Sequence, residues 1–343
     1  FFGVRPYYTM QSSVAETVEG GIAYTSICCI FTAGVFVQIL CERLLQATGR
    51  AFQTMILQGT GAIINIILDP VFIHGWWGVP KMGIAGAAVA TVLGQTVGAV
   101  LGIYMNLRHN PEIHLHVRYM RPRWQTIRPV LEVGIPSVIM NGIGSVMNFG
   151  INQILQGFHE TATGVFGIYF KLQSLFCMPL FGINNATISI MAYNYGARKP
   201  KRITGTLKLA TAVGVVIMVL GMLAFLCIPQ VLLSLFNPTE AFLSIGTRAL
   251  RILGLPFPLA AICICLSASF QALGKGSYST IVSLSRQLLV LLPVAYLLSL
   301  TGNVDNVWWA FPIAELASLT ATCLLFGKLY RTRIKPLMGE GNV

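Results

Sequence analysis

Charge is what this sequence has least of: 10% of its 343 residues are charged and 55% are hydrophobic, whereas soluble domains carry about a quarter charged residues. That excludes an ordinary soluble fold. Acid is the scarcer sign, with 11 Asp and Glu against 23 Lys and Arg. Catalytic motifs are missing as well. There is no His-Glu-x-x-His zinc motif, no glycine-rich phosphate loop and no nucleophile elbow, so neither an enzyme nor a bound cofactor is expected. Without an ATP-binding domain, any transport has to draw on an ion gradient or on the substrate's own gradient. No signal peptide is visible, and the first residue is Phe1 rather than methionine. The eight cysteines lie in apolar runs and, apart from Cys263-Ile-Cys265, make no metal-type pair spacing; they read as small helix-packing residues. His114-Leu-His116 could hold a metal, but in a basic polar loop it reads as a solvated segment.

What the chain does have is long apolar runs. A bilayer core takes about 20 apolar residues per helix. About nine runs qualify, near 20–48, 53–75, 82–107, 130–157, 161–191, 205–232, 240–273, 278–300 and 306–329. The net charge of +12 would point to nucleic acid in a soluble protein. Here it falls almost wholly on alternate connections: Arg50; then Arg108, Arg118, Arg121, Arg123 and Arg128; then Arg198, Lys199, Lys201 and Arg202; then Lys275; and finally Lys328, Arg331, Arg333 and Lys335. The other connections hold little beyond Lys81, His159, Asp305 and the Arg248/Arg251 pair. The positive-inside rule puts the basic loops and the C-terminus in the cytoplasm. The class is therefore all-α integral membrane, with the lipid bilayer and no nucleic acid as partner.

A repeat is visible. Leu45-Gln46-Ala47-Thr48-Gly49-Arg50 resembles Phe270-Gln271-Ala272-Leu273-Gly274-Lys275, about 225 residues on, and both close a span at the basic side. The two halves therefore point the same way across the membrane, related by an axis along its normal as in some secondary transporters. The second half has about six spans and the first about three, so about ninety-five residues and three helices are expected to be missing from the beginning.

Polar residues inside apolar helices are functional candidates, because an unpartnered one costs several kcal/mol. Asn65 and Asp69 are one turn apart on one face, and Thr91 and Gln95 follow in the small-residue run Gly83-Ile-Ala-Gly-Ala-Ala-Val-Ala-Thr91. These could complete an oxygen-lined cation site; equally, Asp69-Pro70 could end the helix at the outer interface while Thr91 bonds its own backbone. Asn141, Asn148, Asn152 and Gln156 form one stripe along the fourth span. Lys171 and Gln173 lie in the fifth, Arg286 and Gln287 in the eighth and Glu315 in the ninth. An unpaired charge at that depth is improbable, so Glu315 is expected to pair with Lys171 or Arg286, either as a structural pair or as a proton relay.

Taken in order, Asn65-Ile-Ile-Leu-Asp69 with Phe72-Ile73, the Gly83–Thr91 run, Gly134-Ile-Pro136-Ser137, Tyr169-Phe-Lys171-Leu-Gln173-Ser174 and Tyr193-Asn-Tyr-Gly-Ala-Arg198 resemble the multidrug and toxic compound extrusion (MATE) family, bacterial branch. The resemblance implies a two-lobed bundle of about twelve helices, of which about nine are present. It divides the chain into the rest of an N-terminal lobe (1–107), a basic inter-lobe loop (108–129), a C-terminal lobe (130–330) and a cytoplasmic tail (331–343). It also implies a monomer in the bacterial inner membrane that exports drugs or organic cations in exchange for H+ or Na+ by alternating access. Asn65, Asp69 and Thr91 match the family's coupling-ion site, whose further aspartate would lie in the missing part; apart from Na+ there, no metal is implied. Where some members carry a second-lobe acid, eight residues past Gly-x-Pro, this chain has Gly144. Asn148, Asn152, Lys171, Gln173, Arg286 and Glu315 are the expected substrate-cavity or charge-relay residues. A lipid-linked saccharide flippase of the same superfamily and a non-transporting membrane remnant are the alternatives.

Overall fold

The computed structural model describes residues 3–11, 15–113, 122–158, 160–236 and 239–339; His114, His116, Arg118, Arg121 and His159 lie outside them. No strand occurs among the described residues. The chain forms two compact units, residues 1–121 and 122–343.

Unit one holds α1 (Val4–Gln11), α2 (Ala15–Ile30), α3 (Thr32–Ala47), α4 (Ala51–His74) and α5 (Ile84–His109). Helices α2 and α3 meet at a bend of 56°. At the bend the Thr32 hydroxyl donates to the Cys28 carbonyl at 2.9 Å. Helix α4 runs through Pro70 to His74, so Asp69-Pro70 does not end it. Helices α4 and α5 meet almost backbone to backbone. A Cβ placed on Gly94 would come 2.7 Å from the Gly61 carbonyl oxygen, and one on Gly61 would come 3.3 Å from that of Gly94. Such contacts replace the hydrophobic effect, which cannot drive helix association in lipid.

Unit two holds α6 (Trp124–Gln156), α7 (Glu160–Gly196), α8 (Pro200–Cys227), α9 (Pro229–Ser234), α10 (Glu240–Gly254), α11 (Phe257–Ala272), α12 (Gly276–Leu284), α13 (Leu292–Ser299), α14 (Val304–Trp308), α15 (Ala310–Leu329) and α16 (Lys335–Gly339). Helices α10 and α11 form a second bent pair, turned by 44° where Pro256 interrupts the ladder. A π-helical turn, Ser285–Leu291, joins α12 to α13, and another, Tyr330–Ile334, joins α15 to α16. The core is aromatic, with Trp308, Phe166, Phe225 and Phe257 almost fully buried. Ile66, Val138, Leu209 and Leu324 are 68–72% exposed, a pattern that only a lipid surround tolerates.

Among the described residues six helices are long and apolar enough to cross a membrane, or eight if each bent pair is one span. The expected fourth span is present as α6, 33 residues long; Arg128, Glu132 and the asparagine stripe dilute its apolar run. Within the segment expected as a cytoplasmic tail, the chain is helical through Gly339, and Ile334 is fully buried in a cluster with Ile203, Leu207 and Leu329.

The sequence repeat proves to be a repeated helix cap. Gly49 and Gly274 both adopt left-handed φ, 75° and 72°. The Arg50 amide donates to the Leu45 carbonyl at 2.8 Å, as the Lys275 amide does to Phe270 at 2.7 Å. The glycine amides donate to Gln46 and Gln271, completing a Schellman motif each time. The same register carries through: α3 and α11 end at Ala47 and Ala272, and α4 and the α12–α13 span end at His74 and Ser299. Even the left-handed residue beyond them recurs, as Trp77 (φ 58°) and Gly302 (φ 73°).

The seam between α4 and α5 gives a direct test. Gly94→Val should lower unfolding stability in detergent by about 1–3 kcal/mol or more through overpacking. Gly59→Ala, on the same helix as Gly61 but with open space at its Cβ, should be neutral or stabilising by up to about 1 kcal/mol; thermal unfolding followed by tryptophan fluorescence compares them.

Candidate functional sites

In unit one, the Gly61/Gly94 contact brings the polar residues one turn further along within reach of each other. Asn65 and Asp69 project from α4, and Thr91 from α5. The Asn65 amide meets an Asp69 carboxylate oxygen at 3.3 Å and the Thr91 Oγ at 3.2 Å. Both ends are satisfied when its nitrogen donates to Asp69 and its oxygen accepts from the Thr91 hydroxyl and backbone N–H. The Thr91 hydroxyl has one proton, which goes either to the Asn65 oxygen or, at 2.9 Å, to the Ala87 carbonyl of its own helix; in both cases Asn65 keeps its contacts to Asp69 and to Thr91. All three side chains are half-buried. No ion pair to Asp69 occurs among the described residues. The arrangement offers a carboxylate, an amide oxygen and a hydroxyl to a proton or a small cation.

A carboxylate that the sequence reading does not single out lies in the same unit. Glu42 of α3 is 6% exposed and accepts from the amides of Gln38 and Gln58 at 3.1 and 2.9 Å. Its signal was available: an acid within an apolar run, one turn after a glutamine.

In unit two, a cavity of about 350 Å³ is walled by Tyr169, Phe170, Phe181, Phe257, Ile264 and Phe311. Its polar lining is Asn148, Gln173, Ser174, Arg286, Gln287 and Glu315. The π-turn Ser285–Leu291 carries Arg286 and Gln287; a π-turn fits one residue more per turn than the α-helix and rotates the faces of the helix beyond it. The Arg286 guanidinium contacts both Glu315 oxygens, at 3.3 and 3.5 Å, which settles between the two expected partners. Lys171 does not line the cavity. It is exposed, its ammonium 5.9 Å from the Phe236 ring centroid, because it stands two residues from Gln173, on another face of α7. Asn152 also stays outside the lining, and nothing is described of the Asn141 side chain. Gly144 does line the cavity, and a Cβ there would stand 3.7 Å from the Gln287 oxygen.

The family model MatE matches residues 136–297. The multidrug export protein MepA of Staphylococcus saprophyticus is 24% identical over 310 residues, 90% of this chain and 67% of that protein. The chain thus spans about two thirds of the relative it matches. Among solved structures, the outward-facing conformation of a multidrug resistance MATE family transporter aligns at 25% identity and a TM-score of 0.83, covering 96% of this chain and 73% of that one. Over the matched segment the chain is similar to the MatE family, and it shares the fold of solved MATE transporters. A further structural relative is a MOP superfamily transporter from Pyrococcus furiosus for which reverse polarity of the binding pocket suggests a different function; it aligns at 25% identity and a TM-score of 0.86, covering 98% of this chain and 74% of that one. The matched MatE segment includes Arg286 and Gln287 of the cavity and stops short of Glu315. The one acid and one base among the described residues lining the cavity are bonded to each other.

Glu315 is about 10% exposed at its side chain and Arg286 28%. Removing one partner strands a buried charge, at about 3–5 kcal/mol for full burial and less here because the guanidinium is partly open. Glu315→Leu or Arg286→Leu alone should lower the thermal midpoint in detergent, and the double variant should regain most of the loss. Additive losses in that cycle would show that the pair is not coupled.

Proposed function

We propose that this protein is a secondary multidrug exporter of the bacterial inner membrane, moving cationic or amphipathic compounds outward in exchange for H+ or Na+ by alternating access. What carries this reading is the Asn65–Asp69–Thr91 cluster, an acid held by neutral partners inside an apolar bundle. An acid without a fixed counter-charge responds to an ion arriving from solution. The MatE match and the multidrug export proteins among the relatives support the substrate class. The distribution of Lys and Arg supports placing the ends that carry Arg50, Lys275 and the C-terminus in the cytoplasm.

The unit-two cavity suits such substrates. Aromatic faces attract lipophilic cations, and Glu315 supplies a charge. A bound cation would compete with Arg286 for that carboxylate, so occupancy shifts a pair that is closed when the cavity is empty. Coupling arises if the ion at Asp69 favours one conformation and the drug favours the other.

Asp69→Asn keeps the hydrogen bond from Asn65 but removes the charge. It should abolish gradient-driven efflux while leaving the unfolding midpoint nearly unchanged. Ethidium accumulation, measured in cells and in proteoliposomes under an imposed pH gradient or an imposed sodium gradient, tests this. Efflux unchanged by the substitution would refute the role of Asp69, and the gradient that drives the wild type names the ion.

A further inference from the structure

Glu42 sits within two turns of the Leu45–Arg50 cap, buried, with both carboxylate oxygens held by side-chain amides. The charged groups on the elements packed around it are Glu16 and Glu19 of α2, Arg50, Asp69 and His74 on and beside α4, and Arg108 and His109 of α5. On its own helix Cys41 is buried and Arg43 turns outward to Gln46 at 2.8 Å. None of the basic groups forms an ion pair with Glu42 among the described residues. The carboxyl is thus enclosed in an apolar bundle and satisfied by neutral donors alone.

One further atom matters. The Oε1 of Gln38 is buried and has no hydrogen-bond partner. It belongs to the amide whose nitrogen donates to Glu42. Oxygen and nitrogen of a glutamine amide are nearly interchangeable in shape, so a half-turn of that amide presents an acceptor where a donor had been. An ionised Glu42 takes two N–H donors; a protonated Glu42 donates its O–H to the Gln38 oxygen and still accepts from Gln58. Both states keep their hydrogen bonds with no side chain leaving the site. An arginine or lysine partner would not allow this, because a cation favours the charged form only.

The position gives the site a direction. Gln58, Asn65 and Asp69 are spaced by seven and four residues along one face of α4; Gln58 and Asp69 are about 16 Å apart along the axis, with Gln58 nearer the Arg50 end. Gln38 reaches the same seam, since a Cβ on Gly98 would meet its amide oxygen at 2.9 Å and one on Gly61 its nitrogen at 3.7 Å.

We propose that Glu42, with Gln38 and Gln58, is a second proton-binding site of unit one, on the cytoplasmic side of Asp69. This rests on the efflux reading and on its orientation: a proton taken up on the Asp69 side leaves the protein through Glu42. In the binding step the carboxylate and one proton become a carboxylic acid whose O–H bonds the Gln38 oxygen, and release reverses it.

Infrared difference spectra of the purified full chain in lipid bilayers, recorded across a pH titration, test the site without reference to transport. The wild type should show a protonated-carboxyl C=O band that Glu42→Gln removes and Asp69→Asn retains. The combined Gln38→Ala and Gln58→Ala variant keeps the acid, and should shift the midpoint of that band by about one pH unit or more. In proteoliposomes Glu42→Gln should reduce proton-driven export about tenfold or more and spare substrate counterflow, which needs no gradient. A band unaffected by Glu42→Gln, or no titrating band in the wild type, overturns the proposal. Wild-type vesicles that move no drug would instead sink the efflux reading, while the spectra would still decide Glu42.

Discussion

A polar side chain surrounded by hydrocarbon can bond only to other protein groups, and each polar cluster in this chain is one way of meeting that constraint. Where helices approach through glycine, short side chains suffice: Asn65 reaches Thr91 because Gly61 and Gly94 let the two backbones close. Where they stand further apart, longer side chains span the gap, as when Gln38 and Gln58 converge on Glu42. Where charge of both signs is present, it neutralises itself, as Arg286 does with Glu315. Helix spacing and side-chain length are therefore matched site by site, and the small residues along α5 are the reason that α4 can carry polar groups at all.

The two units meet the constraint differently on a shared frame. Caps, bends and helix ends recur about 225 residues apart, yet the polar residues do not. Opposite Asp69 in the repeat stands Val294, opposite Glu42 Ser267, opposite Glu315 Ala90 and opposite Arg286 Gly61. The frame is set by Schellman caps and close glycine contacts, and the chemistry is placed on it independently in each half.

Much of this could be read from residue spacing. The apolar runs located the helices to within a few residues, since a bilayer imposes their length. The pairing of Asn65 with Asp69 followed from a four-residue interval, which is the pitch of a regular helix. Reading faltered where the helix is irregular or the partner remote in sequence. Phase beyond the π-turn Ser285–Leu291 cannot be counted at 3.6 residues per turn, so the choice between Lys171 and Arg286 for Glu315 needed coordinates. In the tail from 331 onward the charges dominate the composition, so the burial of its one isoleucine, Ile334, carries no pattern to read. Glu42 drew no notice because its partners are neutral glutamines, one of them in the next helix, and no pattern of charges marks such a site.

Trp77 shows what the duplicated frame exposes about individual residues. It occupies the left-handed position that its counterpart Gly302 fills without penalty, and a bulky residue there is a steric outlier. With 80% of its surface exposed, no packing within unit one holds it in place. An indole that is both strained and outward-facing is understandable if its surroundings supply the compensation, as the headgroup layer does for interfacial tryptophans. The stretch of chain between α4 and α5 is then shaped by the lipid surface as much as by the protein, and this corner of the fold would relax differently in a detergent micelle than in a bilayer.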